Sequence, residues 1–535
     1  MRHNRSAAAL AAAAFLLASG ACLTLAAPAH AGTPGGTYAN DRNSDFDGDG
    51  REDVVTAAPT ATVAGARGAG HVSVRYGSDR GPGAERAVRI SQATAEVPGA
   101  PEADDGFGTA LATGDLNSDG YDELIVGVPG EDLAGHRSAG GVTVLWGGKK
   151  GLSTSGSWLR ARHPAENAHF GAALAAARFS AAHPGDLLAV ADRHGLELAE
   201  WAPVPPPVDG GGPGGPPGGI APLDTTPHDT TPDGTTAHDT TPDGTGAARS
   251  HTPARPLART ALPRPAGARA TVVRTLTTGD YNSDGLADLI ASGTSTGADG
   301  GAGWSAYLPG GARGPAYARD LVGGPVAASG DIDGDGYDDL VTGEPAASDA
   351  ASDSGGATPA GGLVGVRYGG PSGPAAEPQW WTQDSPGVAG TPEHGDGFGS
   401  DLSVADADGD GYAEVAIGAA GEDVGRVADA GAVWVLKGSP TGLTGRGSTH
   451  WNQGSPQVPG AVERGDSWGA QVRFTGPDAQ GRYALLAAAH REDDGTGSVW
   501  LLPAGRDGVG AAGSSTFGAG RPHGGAGHFG AVIDE

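Results

Sequence analysis

Short apolar runs bounded by Gly, Pro and acidic residues recur along this chain. LIVGVP follows Glu123, LVTGEP follows Asp339 and VAIGAA follows Glu414. Runs of this length between turn residues are typical of buried strands. A second apolar run follows each at a short distance, as in GGVTVLWGG and AGAVWVLKG. The pattern predicts an all-β protein built from many small, repeated sheets.

A nine-residue acidic segment precedes these strands and occurs five times. The copies read DFDGDGRED, DLNSDGYDE, DYNSDGLAD, DIDGDGYDD and DADGDGYAE, and begin at Asp45, Asp115, Asp280, Asp331 and Asp406. We call them the acidic loops and number their positions 1–9. Positions 1, 3 and 5 are Asp or Asn, position 6 is Gly and position 9 is Asp or Glu. Ca²⁺ prefers about 6–8 oxygen ligands, which alternate residues of a tight loop can supply.

The sequence therefore predicts about five Ca²⁺ sites, with side chains at positions 1, 3, 5 and 9 and the backbone carbonyl of position 7 as ligands. The predicted ligands, loop by loop, are Asp45, Asp47, Asp49, Arg51 and Asp53; Asp115, Asn117, Asp119, Tyr121 and Glu123; Asp280, Asn282, Asp284, Leu286 and Asp288; Asp331, Asp333, Asp335, Tyr337 and Asp339; and Asp406, Asp408, Asp410, Tyr412 and Glu414. A solvated acidic turn is the alternative for a single copy, and the recurrence before apolar strands favours metal sites.

The repeat unit is longer than the loop. Phe-Gly or Trp-Gly pairs begin at Phe107, Phe170, Phe398, Trp468 and Phe529. Similar segments containing Gln precede three of these pairs, at residues 91–106, 382–397 and 452–467. This combination resembles the FG-GAP (integrin α-like) repeat family, whose units are four-stranded blades of a β-propeller. The resemblance implies a seven-bladed propeller in which units 3 and 7 have lost the acidic loop.

The two ends of the chain complement each other. The segment before Asp45 is polar and lacks a Phe-Gly pair, whereas the C-terminal GHFGAVIDE is a Phe-Gly strand with no blade after it. We expect the C-terminal strand to complete blade 1, because closure removes open sheet edges.

Residues 202–268 differ in composition from the repeats. They are rich in Pro, Gly and Thr and contain HDTTPDGTTA and HDTTPDGTGA in tandem. Such a segment cannot bury a core, so we expect a disordered linker at the outer rim of blade 3. It divides the propeller into residues 32–201, with blades 1–3, and 269–535, with blades 4–7 and the closing strand. Two separate partial propellers are the alternative, but each would expose an open edge.

Residues 1–31 have the pattern of a secretory signal peptide. A basic start precedes an apolar stretch and the small-residue site at Ala29 and Ala31. A membrane anchor and a lipoprotein signal are the alternatives; Gly, Ser and Pro interrupt the apolar run, and Ser19 does not suit a lipidation site before Cys22. Cys22 is the single cysteine of the chain. A secreted mature protein would have no disulfides, and calcium would take over their stabilising role.

The net charge and the sequence motifs limit the classes of partner and activity that are expected for this chain. The net charge of −29 disfavours nucleic acid and anionic lipid as partners. Two GxSxG strings, at residues 293–297 and 465–469, lack the context of a nucleophile elbow. Acidic pairs beginning at Glu131, Glu422 and Glu492 recur at one register and are interpreted as structural.

The sequence thus predicts a secreted, monomeric, non-enzymatic binding or adhesion module for an extracellular protein or carbohydrate ligand, without a transmembrane anchor. The resemblance places partner-binding loops on the face opposite the acidic loops. Trp380, Trp381 and Trp451 lie beside those loops, although packing between blades is the favoured role for them. An integrin-like DxSxS motif is missing, so integrin ligand chemistry is not carried over. The alternative is an extracellular hydrolase, or an accessory module of a polysaccharide- or lipid-active enzyme.

Overall fold

A computed structural model describes residues 44–534, apart from 79–80, 82–85, 134, 204–253, 261, 263–267, 298–302, 347–360, 479 and 519–526. The predicted signal peptide and most of the predicted linker lie outside the described residues. Within the described part of the chain, no helix has the length and apolar character needed to cross a membrane.

Seven four-stranded antiparallel sheets form the blades of a β-propeller. Blade 1 contains β1 (Val54–Ala58), β2 (His71–Arg75) and β3 (Ala87–Ile90). Blade 2 contains β4 (Leu111–Gly114), β5 (Glu123–Val128), β6 (Gly141–Leu145) and β7 (Ser157–Leu159). Blade 3 contains β8 (Ala173–Ala177), β9 (Leu187–Asp192), β10 (Gly195–Glu200) and β11 (Arg255–Thr260). Blades 4 and 5 contain β12 (Ala268–Gly279), β13 (Asp288–Gly297), β14 (Gly303–Leu308), β15 (Arg319–Leu321); and β16 (Val326–Gly330), β17 (Asp339–Glu344), β18 (Leu363–Arg367), β19 (Gln379–Trp381).

Blades 6 and 7 complete the ring. They contain β20 (Phe398–Ala405), β21 (Glu414–Ala419), β22 (Ala432–Lys437), β23 (Thr444–Trp451); and β24 (Gln471–Thr475), β25 (Ala484–Ala489), β26 (Ser498–Leu502), β29 (Ser515–Gly518), with a small hairpin of β27 (Ala504–Gly505) and β28 (Gly508–Val509). The helical element in the described residues is one short turn, α1 (Glu492–Gly495).

The C-terminal strand closes the ring, as the sequence predicts. β30 (Val532–Ile533) pairs antiparallel with β1, through Thr56 opposite Ile533 and Ala57 opposite Val532. The carboxylate of Asp534 accepts the N–H of Val55 at 2.9 Å and the hydroxyl of Ser44 at 3.2 Å. Blade 1 is therefore assembled from both ends of the chain, and its inner edge is paired.

The outer strand of blade 3 differs from the sequence prediction. β11, at Arg255–Thr260, lies within the range 202–268 assigned to the linker, yet it pairs with β10. The insertion therefore falls between the third and fourth strands of blade 3, at the expected rim position, and ends before β11. Pro256 sits in this strand because an outer strand has one unpaired edge, where a missing N–H is tolerated.

The apolar core is divided into seven clusters, each of which lies between two adjacent blades. The aromatic residues of the five pairs that begin at Phe107, Phe170, Phe398, Trp468 and Phe529 are buried there. Their N–H groups donate to carbonyls of the preceding blade, as from Phe107 to Ala69 and from Phe398 to Gly361. The following Gly has a positive φ (93° at Gly108), and a Cβ there would lie 2.8 Å from Ala57. The Phe-Gly pair thus fixes the spacing between neighbouring blades.

Candidate metal centre

The five acidic loops lie on one face of the propeller. In blades 2, 4, 5 and 6 they connect the first strand to the second, and in blade 1 the loop leads into β1. Because the strands are antiparallel, the connections from third to fourth strand share this face. The connections from second to third strand, and from one blade to the next, lie on the opposite face.

The position-1 carboxylate organises each loop. In all five loops it accepts the N–H groups of positions 5 and 6, with N···O distances of 2.8–3.1 Å. Gly at position 6 has φ between 82° and 91°, a conformation that favours glycine. The tight turn therefore follows from Asp at position 1 and Gly at position 6.

Two further contacts complete the loop. The position-7 N–H donates to the position-5 carboxylate at 3.0–3.2 Å in every copy. The position-9 carboxylate accepts the position-2 N–H at 2.8–3.0 Å in four copies. In the remaining copy, Asp288 accepts the N–H of Gly310 at 2.8 Å and the hydroxyl of Tyr307 at 2.9 Å. These bonds fix the conformation of the loop and the positions of its carboxylates.

Positions 1, 3 and 9 converge. In blades 1, 5 and 6 they offer oxygen atoms within 4.8 Å of one another, from Asp45, Asp47 and Asp53, from Asp331, Asp333 and Asp339, and from Asp406, Asp408 and Glu414. In blades 2 and 4, position 3 is Asn, and its amide donates to position 9: Asn117 to Glu123 at 3.2 Å and Asn282 to Asp288 at 3.3 Å.

Position 3 provides a test of whether these residues suit a cation. Its Oδ1 atom is buried and accepts no hydrogen bond from the described residues at Asp47, Asn117, Asp333 and Asp408. A buried oxygen without a partner is costly, and a hard cation satisfies it without a proton. Asn282 differs, because its Oδ1 accepts the N–H of Asp284 at 2.9 Å. The donor set of carboxylate and amide oxygens fits Ca²⁺ chemistry.

The electrostatics of the loops agree with this fit. Burial raises the pKa of Asp53, Asp339 and Glu414 to about 8, that of Asp288 to about 7 and that of Asp115 to about 6. Neighbouring carboxylates of the same loop add to the rise, Asp47 and Asp45 in the case of Asp53. Each loop concentrates more negative charge than its own residues neutralise.

Two loops have a basic side chain beside position 3. Lys437 Nζ lies 2.6 Å from Asp408 Oδ2, and Arg86 pairs with Asp47 Oδ2. In both cases the base contacts Oδ2, whereas Oδ1 is the buried oxygen without a partner. These bases orient the position-3 carboxylate and leave one oxygen for coordination. Sequence spacing did not identify them, because Lys437 lies in β22 and Arg86 directly before β3, outside the loops themselves.

On the face opposite the acidic loops, a recurring Gln–Glu pair with a buried glutamine holds each long loop. Gln92 donates to Glu131 and Gln383 to Glu422, both at 2.8 Å, and Gln453 donates to Glu492 at 2.7 Å. Each pair joins the loop after one blade to the second-to-third-strand connection of the next blade. Burial raises the pKa of all three glutamates to about 7. This geometry supports the structural interpretation of the recurring acidic pairs.

The aromatic residues beside these loops divide into two groups. Trp381 and Trp451 are buried in inter-blade clusters, as favoured from the sequence, whereas Trp380 is 37% exposed.

Neither GxSxG string forms a strand–turn–helix: residues 293–297 lie within β13, and Ser467 lies in the turn before β24. The Ser467 hydroxyl donates to the carbonyl of Gly465 at 3.4 Å.

The structure adds residues that the sequence analysis did not single out. Position 8 of four blades contacts the first loop position of the preceding blade. The carboxylates of Asp122, Asp186 and Asp338 accept the N–H groups of Asp45, Asp115 and Asp280, and the carboxylate of Glu52 accepts the N–H of Gly476. Aligning HPGD186 with SDGYD122 would have revealed Asp186 as a retained acid in a loop without the other ligands.

Comparisons with known proteins agree with the repeat pattern. The family model described as FG-GAP repeat matches residues 43–74, 107–145, 323–362 and 398–436. These segments contain four of the acidic loops, and the Asp280 loop lies outside them. FG-GAP repeats commonly bind Ca²⁺, and their propellers are typically non-catalytic binding folds. The search of curated proteins gave no match.

Two solved structures have weak similarity to this chain. BBS1N in complex with ARL6DN is 12% identical, with a TM-score of 0.37, over 74% of this chain and 79% of that chain. An Aleuria aurantia lectin mutant in complex with alpha-methyl-L-fucoside is 8% identical, with a TM-score of 0.34, over 78% of this chain and 97% of that one.

Proposed function

Since the chain is built of FG-GAP repeats folded as a seven-bladed β-propeller, we propose that it is a secreted calcium-binding module that binds an extracellular protein or glycan. In this proposal about five Ca²⁺ ions stabilise one face of the propeller. The long loops of the opposite face contact the partner. The chain itself performs no catalysis and acts as a monomer.

The observation that carries calcium binding is the buried position-3 oxygen, which accepts no hydrogen bond from the described residues in four of the five acidic loops. The calcium ligands would be the side chains of positions 1, 3, 5 and 9 and the carbonyl of position 7. Bound Ca²⁺ would supply positive charge to these carboxylates. The chain's own contribution is to orient them through the N–H groups of the turn.

Calorimetric titration of metal-free protein tests this part. We expect a stoichiometry near five, and a value of two or fewer would contradict it. Asn117→Ala and Asp333→Ala should each remove one ion. An Asp478→Ala variant serves as a matched control, because Asp478 lies at the loop position of blade 7, where Arg482 contacts it at 2.6 Å, and its loss should leave the stoichiometry unchanged.

The opposite face supports a binding role. Three long loops, at residues 91–106, 382–397 and 452–467, are held in equivalent positions by the buried Gln–Glu pairs. Loops on a rigid scaffold are common sites of recognition. Trp380 adds an exposed aromatic ring at the start of the second loop, a residue type enriched in interfaces.

A binding array with glycan and extracellular-protein arms, probed with calcium-loaded protein, tests the partner. Trp380→Ala should weaken any hit, whereas Tyr317→Ala should not. Tyr317 is similarly exposed (38% against 37%) but lies between β14 and β15, on the face of the acidic loops. Equal effects of the two substitutions, or hits unaffected by both, would contradict the assignment of the binding face.

Export is proposed from residues 1–31, which lie outside the described residues, and from the frequent extracellular location of FG-GAP proteins. After cleavage at Ala31 the chain would contain no cysteine, since Cys22 is the single one. Terminal sequencing of protein recovered from culture medium should begin just after Ala31. Recovery of full-length protein in the cell fraction would count against export.

A further inference from the structure

Neighbouring acidic loops are linked around the ring. The N–H of Asp45 donates to Asp122 Oδ2 at 2.9 Å, although the residues are 77 positions apart. The N–H of Asp280 donates to Asp338 Oδ2 at 2.7 Å. In each pair the acceptor is position 8 of one blade and the donor is position 1 of the preceding blade. Position 1 is the carboxylate around which its own loop is built.

Blade 3 shows that this link does not depend on the acceptor's own metal site. Leu187 pairs with Ala177 in the register in which Glu123 pairs with Gly114, so position 9 of blade 3 has no carboxylate. Position 8 is nevertheless Asp186, which is 5% exposed. Its Oδ2 accepts the N–H of Asp115 at 3.1 Å. A loop that has lost its ligands thus keeps the acid that contacts the neighbouring site.

Blades 6 and 7 lack this carboxylate. Position 8 of blade 6 is Ala413, whose backbone N–H donates to the carbonyl of Asp331 at 2.9 Å. Position 8 of blade 7 is Tyr483, whose N–H donates to the carbonyl of Ala407 at 3.3 Å. Among the described residues, position 1 of the Asp45, Asp115 and Asp280 sites therefore donates its N–H to a position-8 carboxylate of the next blade. Position 1 of the Asp331 and Asp406 sites has no such carboxylate in the next blade.

We infer that the position-8 carboxylate is a positioning residue that sets the calcium affinity of the site in the preceding blade, so that Asp186 of blade 3 tunes the Asp115 site of blade 2. This inference rests on the proposed calcium binding. By fixing the backbone of position 1, the carboxylate fixes the direction of the first ligand. Partners of metal ligands typically change affinity by about 10–100-fold when they are removed.

The two sites with Asn at position 3 both have this support. Asn117 and Asn282 give their loops one carboxylate fewer than the other three. Asp186 and Asp338 place an acid beside them. At the ring closure Glu52 makes the same contact with Gly476, which begins a loop without acidic ligands. The contact therefore also has a structural component, which the experiment must separate from the effect on affinity.

The test uses the full chain and Ca²⁺ alone as the probe. Metal-free wild type, Asp186→Ala and Asp186→Asn are titrated by calorimetry, and thermal melts confirm that each variant is folded. We expect Asp186→Ala to weaken one of the five sites about 10–100-fold. Asp186→Asn keeps an oxygen acceptor and should stay close to wild type. Adding Asn117→Ala to Asp186→Ala should abolish the weakened site and leave four tight ones.

Asp192→Ala is the matched control. Asp192 is a buried acid of the same blade that lies at the opposite end of β9 from Asp186, where Arg259 contacts it at 2.7 Å. Its loss should leave all five affinities unchanged. A weakening equal to that of Asp186→Ala would show general damage to blade 3 and overturn the inference. If Asp186→Asn lowered the Ca²⁺ affinity as much as Asp186→Ala, the inference would also be overturned, because loss of the charge rather than of the positioning contact would then explain the effect.

Asp338→Ala provides a second variant in case the Asp186 variants do not fold. It should weaken the Asp280 site and spare the Asp331 and Asp406 sites. Five unchanged affinities in Asp186→Ala, or in Asp338→Ala, would refute the positioning role while leaving calcium binding intact. Wild type that takes up no Ca²⁺ would instead refute the proposed function itself.

Discussion

The acidic loops and the corresponding loop of blade 7 differ in how the negative charge of their carboxylates is balanced. In blade 7, Asp478 accepts the N–H groups of Gln480 and Arg482 at 2.8 and 3.1 Å, so this carboxylate also binds backbone N–H groups of its own turn. Arg482 Nη2 lies 2.6 Å from the same carboxylate. Although burial opposes it, this hydrogen bond leaves the pKa of Asp478 below its usual value, whereas burial raises the pKa of Asp53 to about 8.

The comparison shows where the counter-charge comes from. Blade 7 encodes its own cation four residues after the carboxylate, and its loop has none of the other acids. The acidic loops gather several carboxylates and leave position-3 oxygens without a protein donor among the described residues. A partly buried carboxylate is stabilised by a partner of opposite charge, and in the proposed function bound Ca²⁺ is that partner for the acidic loops.

Chelation should produce the largest difference between the two kinds of loop. Each occupied site stabilises the fold by about 2.7 kcal/mol when free Ca²⁺ is about 100 times Kd. Removal of calcium should therefore lower Tm strongly. Hydrogen exchange should rise in the acidic loops and much less at residues 476–483. Uniform exchange, or a Tm insensitive to chelator, would contradict the comparison.

The pH dependence of the metal-free protein should be the next largest effect. Asp53, Asp339 and Glu414 have folded-state pKa values of about 8, against ordinary values of 3.8 for Asp and 4.5 for Glu. Between these limits the folded state binds more protons than the unfolded state, so stability falls as pH rises. Thermal melts of metal-free protein should give a higher Tm near pH 5 than near pH 8.

Calcium should reverse this trend, because protons compete for the same oxygens. The gain in Tm from added Ca²⁺ should grow over the same pH interval. A metal-free Tm that increases with pH would show that these carboxylates are already neutralised by the protein.

Single substitutions within one loop should separate ligand from scaffold. Asp331 accepts three backbone N–H groups, so Asp331→Ala should lower Tm with and without calcium. Asp333 Oδ1 has no donor among the described residues, and burial, followed by the neighbouring carboxylate of Asp335, raises the pKa of Asp333. Asp333→Ala should therefore lower Tm in calcium but leave it unchanged or raised in chelator. Equal losses in both conditions would make Asp333 a structural residue.

Arg482→Ala should give the smallest effect. The Arg482–Asp478 pair is partly exposed, and such pairs contribute about 0.2–1 kcal/mol. The loss in unfolding free energy should be the same with and without calcium, as measured by denaturant titration. A calcium-dependent loss would mean that blade 7 also holds an ion.

Much of this architecture could be predicted from the sequence because it is repeated locally. Asp at position 1, Gly at position 6 and the following apolar strand lie within one short segment, so each copy specifies its own turn and strand. The complementary ends, a blade without a first strand and a Phe-Gly strand without a blade, predicted the pairing of β30 with β1. Five copies made the pattern distinct from a chance acidic turn.

Contacts between repeats could not be predicted in this way. The strand β11 pairs with β10 across the long insertion, and its composition, with Arg255 and Pro256, resembles that of the linker. Asp186 lies in a loop without the other acidic residues, and only the tertiary structure brings its carboxylate to the N–H of Asp115, 71 residues earlier. The Gln92–Glu131 hydrogen bond likewise joins two recurring features, the Gln-containing segments and the acidic pairs, that lie apart in the sequence.

The sequence by itself determined the turn, the strand and the number of blades, because these depend on side chains within a few residues of one another. The tertiary structure decided which oxygens lack a donor, which bases stand beside position 3 and which acid supports each site. Those properties arise where adjacent blades pack, and packing brings together residues whose separation along the chain carries no periodic signal.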